Sequence, residues 1–384
     1  MAERLKAGGT YTTLFNLVII YFAILGILLS YGGGSRVSVM MGAFVLTAFV
    51  LIKQNSSTQR MIVSIVVISL VLWLTESFLY RYRGTRLPTF APSILMSIYT
   101  SMLLGFVMVY YPIKLRWLKI LMYIFLIWCF YMVVFLRTPI DQVFTSETSS
   151  GVGLLSLTLS LIIPVAYLEY RDYHKISILP FFLQMVISFF VTSRTGLGTC
   201  VMLFCFALFA GVYKMKNRFI RILSFVILGV VVAGVGYMVT SNSSGMEGVS
   251  KMVEMGSDLT GRDLIWANYF FNFDINDLIY GRDIVGLNEG EWQNAHCSWI
   301  QLHSSVGFLA IVVMLITIVA LVYYLLRDLP LALILFSLIV YATFNYIFFF
   351  NLNDRLLYMF LFHYLLVRKT DRPANKQPVK MTLI

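Results

Sequence analysis

Four histidines, a scatter of arginines and one acidic, aromatic-rich stretch are the parts of this 384-residue chain that can do chemistry. His296 and His303 are seven residues apart. A helix already formed at 296 would put both on one face, about 10 Å apart, too far for one metal ion to bind both directly. His296 stands where a long polar stretch enters an apolar run, within reach of water. An imidazole there can take a proton near neutral pH, which makes His296 the candidate catalytic base. His303, deeper in the run, reads as a packing residue. His174 lies in a short charged loop and His363 in the last apolar run, so solvation and bundle packing account for them.

The elements that must position these residues are membrane helices. Of all residues 59% are hydrophobic and only 12% charged, against roughly a quarter charged in soluble domains. Runs long enough to cross a bilayer, about 20 residues each, recur from end to end. In lipid they must be helical, because their backbone groups have no water to bond. The fold class is an all-α polytopic integral membrane protein, a single transmembrane domain over 1–384 with about 12 spans. The spans fall near 13–31, 37–52, 61–80, 93–111, 117–136, 151–168, 176–193, 196–213, 221–240, 298–326, 331–350 and 355–367. The last is short enough to be a tilted or partial helix. The first run, Leu14–Leu29, has no small-residue cleavage site behind it and reads as a retained span.

Twelve spans put both termini on one side. With that side cytoplasmic, 19 of the 29 Lys and Arg fall in cytoplasmic segments and 10 outside, the bias expected of short loops. Residues 241–297 then form one large outer loop. The charge of +11 is dispersed through short loops and is no nucleic-acid footprint. The four cysteines form neither a disulfide framework nor a CxxC metal pattern.

Nine of the ten outer basic residues are arginines: Arg36, Arg81, Arg83, Arg86, Arg137, Arg194, Arg262, Arg282 and Arg355. Arginine presents a planar fork of donors that fits phosphate, which lysine lacks. The set points to anionic headgroups or pyrophosphate, with plain interfacial anchoring as the alternative for each residue. Arg194 lies in Ser193-Arg194-Thr195-Gly196, a tight turn between apolar runs. Arg262 lies in Thr260-Gly261-Arg262-Asp263, ahead of a helix start that favours an anion. The large loop carries nine of the 18 acidic residues and the aromatic segment Trp266–Phe273. Aromatics beside carboxylates suit sugar rings, and they equally suit a helix lying on the bilayer.

SRTG at 193–196, TGRDLIW at 260–266, IYGR at 279–282 and AHCSWIQLHSSVGFLA at 295–310 together resemble the O-antigen polymerase and O-antigen ligase superfamily of bacterial envelope glycosyltransferases. His296, nine intervening residues after position 297, and Gly307 match that family's pattern. Cys297 stands in place of its usual polar residue, and Ser304-Ser305 where a glutamate often precedes the glycine. The resemblance covers roughly the second half of the chain.

It implies a GT-C-like fold in the bacterial cytoplasmic (inner) membrane, with both termini cytoplasmic and the active site on the outer face. It also implies undecaprenyl-pyrophosphate-linked oligosaccharide as donor and acceptor, a chain-length regulator protein as a partner, and neither metal nor cofactor. His296 would activate the acceptor hydroxyl, and Arg194 and Arg262 would hold the pyrophosphate. Arg282 and Arg355 are weaker candidates for the same anion. The same motifs serve a polymerase, which extends another lipid-linked repeat, and a ligase, which transfers to lipid A–core. A lipid-linked oligosaccharide flippase is the reading from a different class. Against it, Glu76 is the only acidic residue within a span, whereas transporters gather ionisable groups near the midplane.

Overall fold

The computed structural model of the chain describes residues 9–30, 36–52, 56–82, 92–138, 151–191, 193–213, 262–284, 296–345 and 351–370, with a few isolated positions besides. They form helices and, among the described residues, no strand. In order these are α1 (Gly9–Ser30), α2 (Arg36–Ile52), α3 (Ser56–Tyr82), α4 (Pro92–Tyr110) and α5 (Leu115–Phe130), which runs into a π-turn (Tyr131–Phe135). Next come α6 (Gly151–Tyr173), α7 (Leu179–Phe189) and α8 (Arg194–Tyr213). The large loop contributes α9 (Arg262–Phe270) and α10 (Ile275–Tyr280). The chain then continues through α11 (Ser298–Val306), α12 (Phe308–Arg327), α13 (Leu329–Phe344) and α14 (Asp354–Thr370). Among the described residues, five segments are long and apolar enough to cross a membrane: Thr58–Leu79, Ser93–Tyr110, Leu115–Phe135, Leu154–Tyr173 and Phe308–Arg327. Several such helices in one chain mark a membrane-embedded architecture. Apart from single helical positions at Val226 and Gly229, the predicted span 221–240 lies outside the described residues.

Small hydroxyls sit inside these apolar helices by bonding backwards to their own backbone. Thr158 donates to Leu154 O (3.1 Å), Ser160 to Leu157 O (2.7 Å), Thr317 to Val313 O (2.8 Å) and Ser337 to Leu333 O (2.8 Å). This satisfies the hydroxyl where no water is available. Several charged groups gather at one end of the bundle. Lys119 pairs with Glu169 (2.5 Å), whose carboxylate also accepts from Ser177 N and Oγ. Arg171 donates to Met108 O in the last turn of α4 at 2.7 Å and to Tyr111 O just beyond it at 3.3 Å. Glu76, near the opposite end of α3, is buried.

Three predicted spans differ in the structure. The run 176–193 is helical only over the eleven residues of α7. The run 298–326 is not one helix. It breaks at Gly307 (φ 55, ψ −131) into the short α11 and the spanning α12. A Cβ at Gly307 would overlap Ile279 O, and one at Gly281 (φ 71) would overlap His303 O. The large loop therefore crosses the broken helix backbone to backbone, at two positions that only glycine can fill.

The run 331–350 also stops short, at Phe344. The chain then turns back into the bundle. Asn351 O accepts from Ser101, at the midpoint of α4 (2.8 Å), and Gly105 lies tight against Tyr358 and Met359. So α14 begins at mid-height, beside the middle of α4. Asp354 closes this entry, accepting from Phe349 N (2.5 Å) and Asn351 N (3.3 Å). Non-helical backbone at such depth persists only when enclosed by protein.

Candidate functional site

SRTG is a helix start in which each residue has a local job. Ser193 Oγ accepts from Gly196 N (3.1 Å), the N-cap bond that satisfies a free amide of α8. Arg194 is the first helical residue. Gly196 faces α6 so closely that a Cβ would overlap Leu155 Cδ1. Thr195 points to a buried partner: Asn345 Nδ2 donates to Thr195 Oγ1 at 2.7 Å, and that oxygen lies 3.1 Å from Asn345 Oδ1.

Asn345 also holds the histidine segment. Its backbone carbonyl accepts from Ser298 N (3.2 Å) and Ser298 Oγ (2.7 Å). Ser298 Oγ in turn accepts from Phe348 N (3.2 Å). The preceding residue, Phe344, packs on Trp266 of α9 with ring centroids 6.1 Å apart. One corner, Phe344–Asn345, therefore touches SRTG through Thr195, TGRDLIW through Trp266 and AHCSW through Ser298. Asn345 is only 1% exposed, so its amide is committed to these bonds. Sequence reasoning missed this residue. The signal was present, since an amide inside the otherwise apolar run 331–350 is costly unless it is bonded.

His296 is exposed and has φ 49. For a residue with a Cβ, this left-handed conformation costs roughly 1–2 kcal/mol. It turns the imidazole outward, while Cys297, in extended conformation, turns inward and is buried. Burial pushes the Cys297 thiol up, which keeps it protonated and unreactive. Because α11 starts only at Ser298, the expectation that His296 and His303 share a helical face does not hold. His303 stands at the far end of α11, bonded on both ring nitrogens. Leu278 O can only accept, so Nε2 donates to it (3.1 Å), and Nδ1 then accepts from the Tyr269 hydroxyl (2.7 Å). Phe273 packs on the same imidazole at 5.8 Å. His303 is the packing residue predicted, and what it packs is the large loop.

The arginines divide. Arg194 and Arg262 open α8 and α9, both beside the Asn345 corner; their side chains lie outside the described set. Arg282 seals the other end of α9, its Nη1 donating to Tyr269 O (3.3 Å) and Phe271 O. That nitrogen is also 4.0 Å from Asp277 Oδ2. Asp274 caps α10, and the Asp277 N–H it accepts (2.8 Å) holds its carboxyl below the usual range.

Arg355 is elsewhere. It is 4% exposed at mid-height in the bundle, not on an outer surface, and donates to Leu352 O (3.2 Å) and Ser160 O (3.4 Å). Pro164 lacks the N–H that would bond Ser160 O within α6, so Arg355 fills a vacancy made by proline. The two residues border a cavity of about 10 Å³, room for about one water.

Arg137 joins the site instead. It follows the π-turn of α5 and stacks its guanidinium on Phe190, 4.5 Å from the ring centre and three residues before SRTG. The sequence placed Arg137 among the outer arginines but held nothing that tied it to SRTG. No family model, curated protein or solved structure matches this chain.

Proposed function

We propose that this protein is a metal-independent glycosyltransferase, a polysaccharide polymerase that moves a glycan from a polyprenyl pyrophosphate to a hydroxyl of another lipid-linked unit. The observation that carries the reading is the corner at Phe344–Asn345. It draws the segments of Arg194, Arg262 and His296 together although they are far apart in sequence. His296, exposed just ahead of α11, removes the proton from the acceptor hydroxyl. The freed oxygen attacks the anomeric carbon of the donor, and the carbon–oxygen bond to pyrophosphate breaks. The departing pyrophosphate keeps the electron pair, and Arg194, Arg262 and Arg282 stabilise its growing charge. On this reading the site faces the outside of a bacterial cytoplasmic membrane and both termini lie in the cytoplasm.

The test uses purified protein in lipid nanodiscs with an undecaprenyl-pyrophosphate-linked repeat unit and a metal chelator. Products longer than one repeat support the proposal. Transfer only to added lipid A–core makes the protein a ligase. No transfer to either acceptor sinks the transferase reading.

One observation favours a transporter. The chain re-enters the bundle at Asn351 and starts α14 at mid-height with Asp354 and Arg355 buried there. Transporters bind substrates at helices interrupted in this way. Movement of the intact lipid-linked sugar across proteoliposomes, without new glycosidic bonds, would favour that reading.

A further inference from the structure

We propose that α9 and α10 are immersed in the membrane–water interface, with a row of apolar side chains in lipid, and do not stand clear of the bilayer. The inference rests on the membrane-embedded fold and not on the transferase reading. α9 is apolar on two faces. Ile265 and Tyr269 are buried against the bundle, while Leu264 and Phe271, two turns apart, face outward, Phe271 at 66% exposure. With Asn268 exposed as well, the segment has the mixed outer surface of a helix lying in the interface, large apolar side chains in the acyl boundary and polar groups at headgroup level. In α10 the stripe continues one helical turn apart, at Ile275 (63% exposed) and Ile279. Polar Asn276 lies off that stripe.

What covers this surface follows from its continuity with the spans. The Tyr280 ring packs on Tyr82 at 5.3 Å, and Tyr82 stacks on Phe78 at 6.3 Å. Phe78 is 60% exposed on the outward face of α3. On the other side α10 packs on α12, whose outward face begins at Phe308 and runs on through Val312 and Leu315. The exposed apolar surface of two spanning helices thus adjoins the apolar side chains of the loop helices, with exposed Asn268, Asn272 and Asp274 as the polar positions among them. The lipid that covers α3 and α12 covers α9 and α10 as well. Phe270, Phe271, Tyr280 and Tyr82 make the aromatic belt found at this depth. Arg262 and Arg282, near the two ends of α9, are then held at headgroup level, where lipid-borne phosphate lies.

The experiment places nitroxide labels at F271C, I275C, I279C and N276C in a Cys205→Ser background, reconstituted in phosphatidylcholine vesicles. The other native thiols are buried. Collision with oxygen, which concentrates in lipid, is compared with collision with a water-soluble nickel chelate. The three apolar sites should show an oxygen-to-nickel ratio several-fold above that of N276C. Equal ratios at all four sites overturn the proposal. Broadening between labels that vanishes on dilution with unlabelled protein also overturns it, because a second copy then covers the surface. The wild-type protein gives an independent reading should a variant fail to reconstitute. A diazirine phospholipid should tag peptides within 264–280, and absence of tagging there counts against immersion.

Discussion

The side chains of Thr195 and Asn345 are bonded to each other across 150 residues of sequence. The bond ties the start of α8 to the end of α13, and through Ser298 to the segment that carries His296. Removing either partner strands the other. Asn345→Ala and Thr195→Val should each destabilise the protein by about 1–3 kcal/mol. The double variant should lose less than the sum, with a coupling of about 0.5–3 kcal/mol. Thermal unfolding in detergent measures this. Strict additivity would mean that the two side chains act independently.

His296 and His303 should separate chemistry from folding. His296→Gly relieves the left-handed backbone at φ 49, so stability should hold or rise. Polymer formation should nonetheless fall by about 10²–10⁴-fold if the imidazole is the base. His303→Ala unbonds Tyr269 and Leu278 and should lower Tm with a milder effect on turnover. His296→Gln with near-normal chain growth would show that the residue only positions the acceptor.

Arg355 and Pro164 make a pair that can be tested against the pyrophosphate role. Pro164→Ala returns an N–H to Ser160 O, so the carbonyl no longer needs the guanidinium. Arg355→Met should then cost clearly less stability in the Pro164→Ala background than alone. The difference should be about 1–3 kcal/mol, the penalty of one unsatisfied buried group. Equal losses in both backgrounds would remove the structural account. An activity loss that persists while stability is restored would return Arg355 to the anion.

Arg137 should assist binding more than turnover. Its stacking on Phe190 corresponds to about 0.5–2 kcal/mol. Arg137→Ala and Phe190→Leu should therefore raise KM by about 2- to 30-fold and leave kcat nearly unchanged. An unaltered KM in both variants would detach this arginine from the site.

The helical, membrane-like character of the chain was plain from its apolar runs, because lipid leaves the backbone a single solution. The breaks were not. Gly307 sits in a run apolar enough to pass for one span, and only the crossing of Ile279 and Gly281 explains why the helix stops there. Asn345 and Arg355 show the same limit. An amide or a guanidinium within or beside an apolar run signals a partner, but Thr195 and Ser160 lie 150 and 195 residues away. Arg137 shows it too, since its partner is an aromatic ring, and no spacing rule connects such a ring to a cation in another segment. The local grammar was clearer: SRTG read as a tight turn between apolar runs, and the structure adds Ser193 as the cap of α8 and Gly196 as its close approach to α6.

The break at Gly307 turns α11 into a strut. Its nine residues span about 13 Å. The far end is clasped by the large loop, through Gly281 and His303, and the near end is bolted to Asn345 by both the amide and the hydroxyl of Ser298. A short rod held at both ends sets a fixed distance between the loop it touches and the imidazole just beyond its tip, so the loop and His296 are gauged against each other by the length of one short helix.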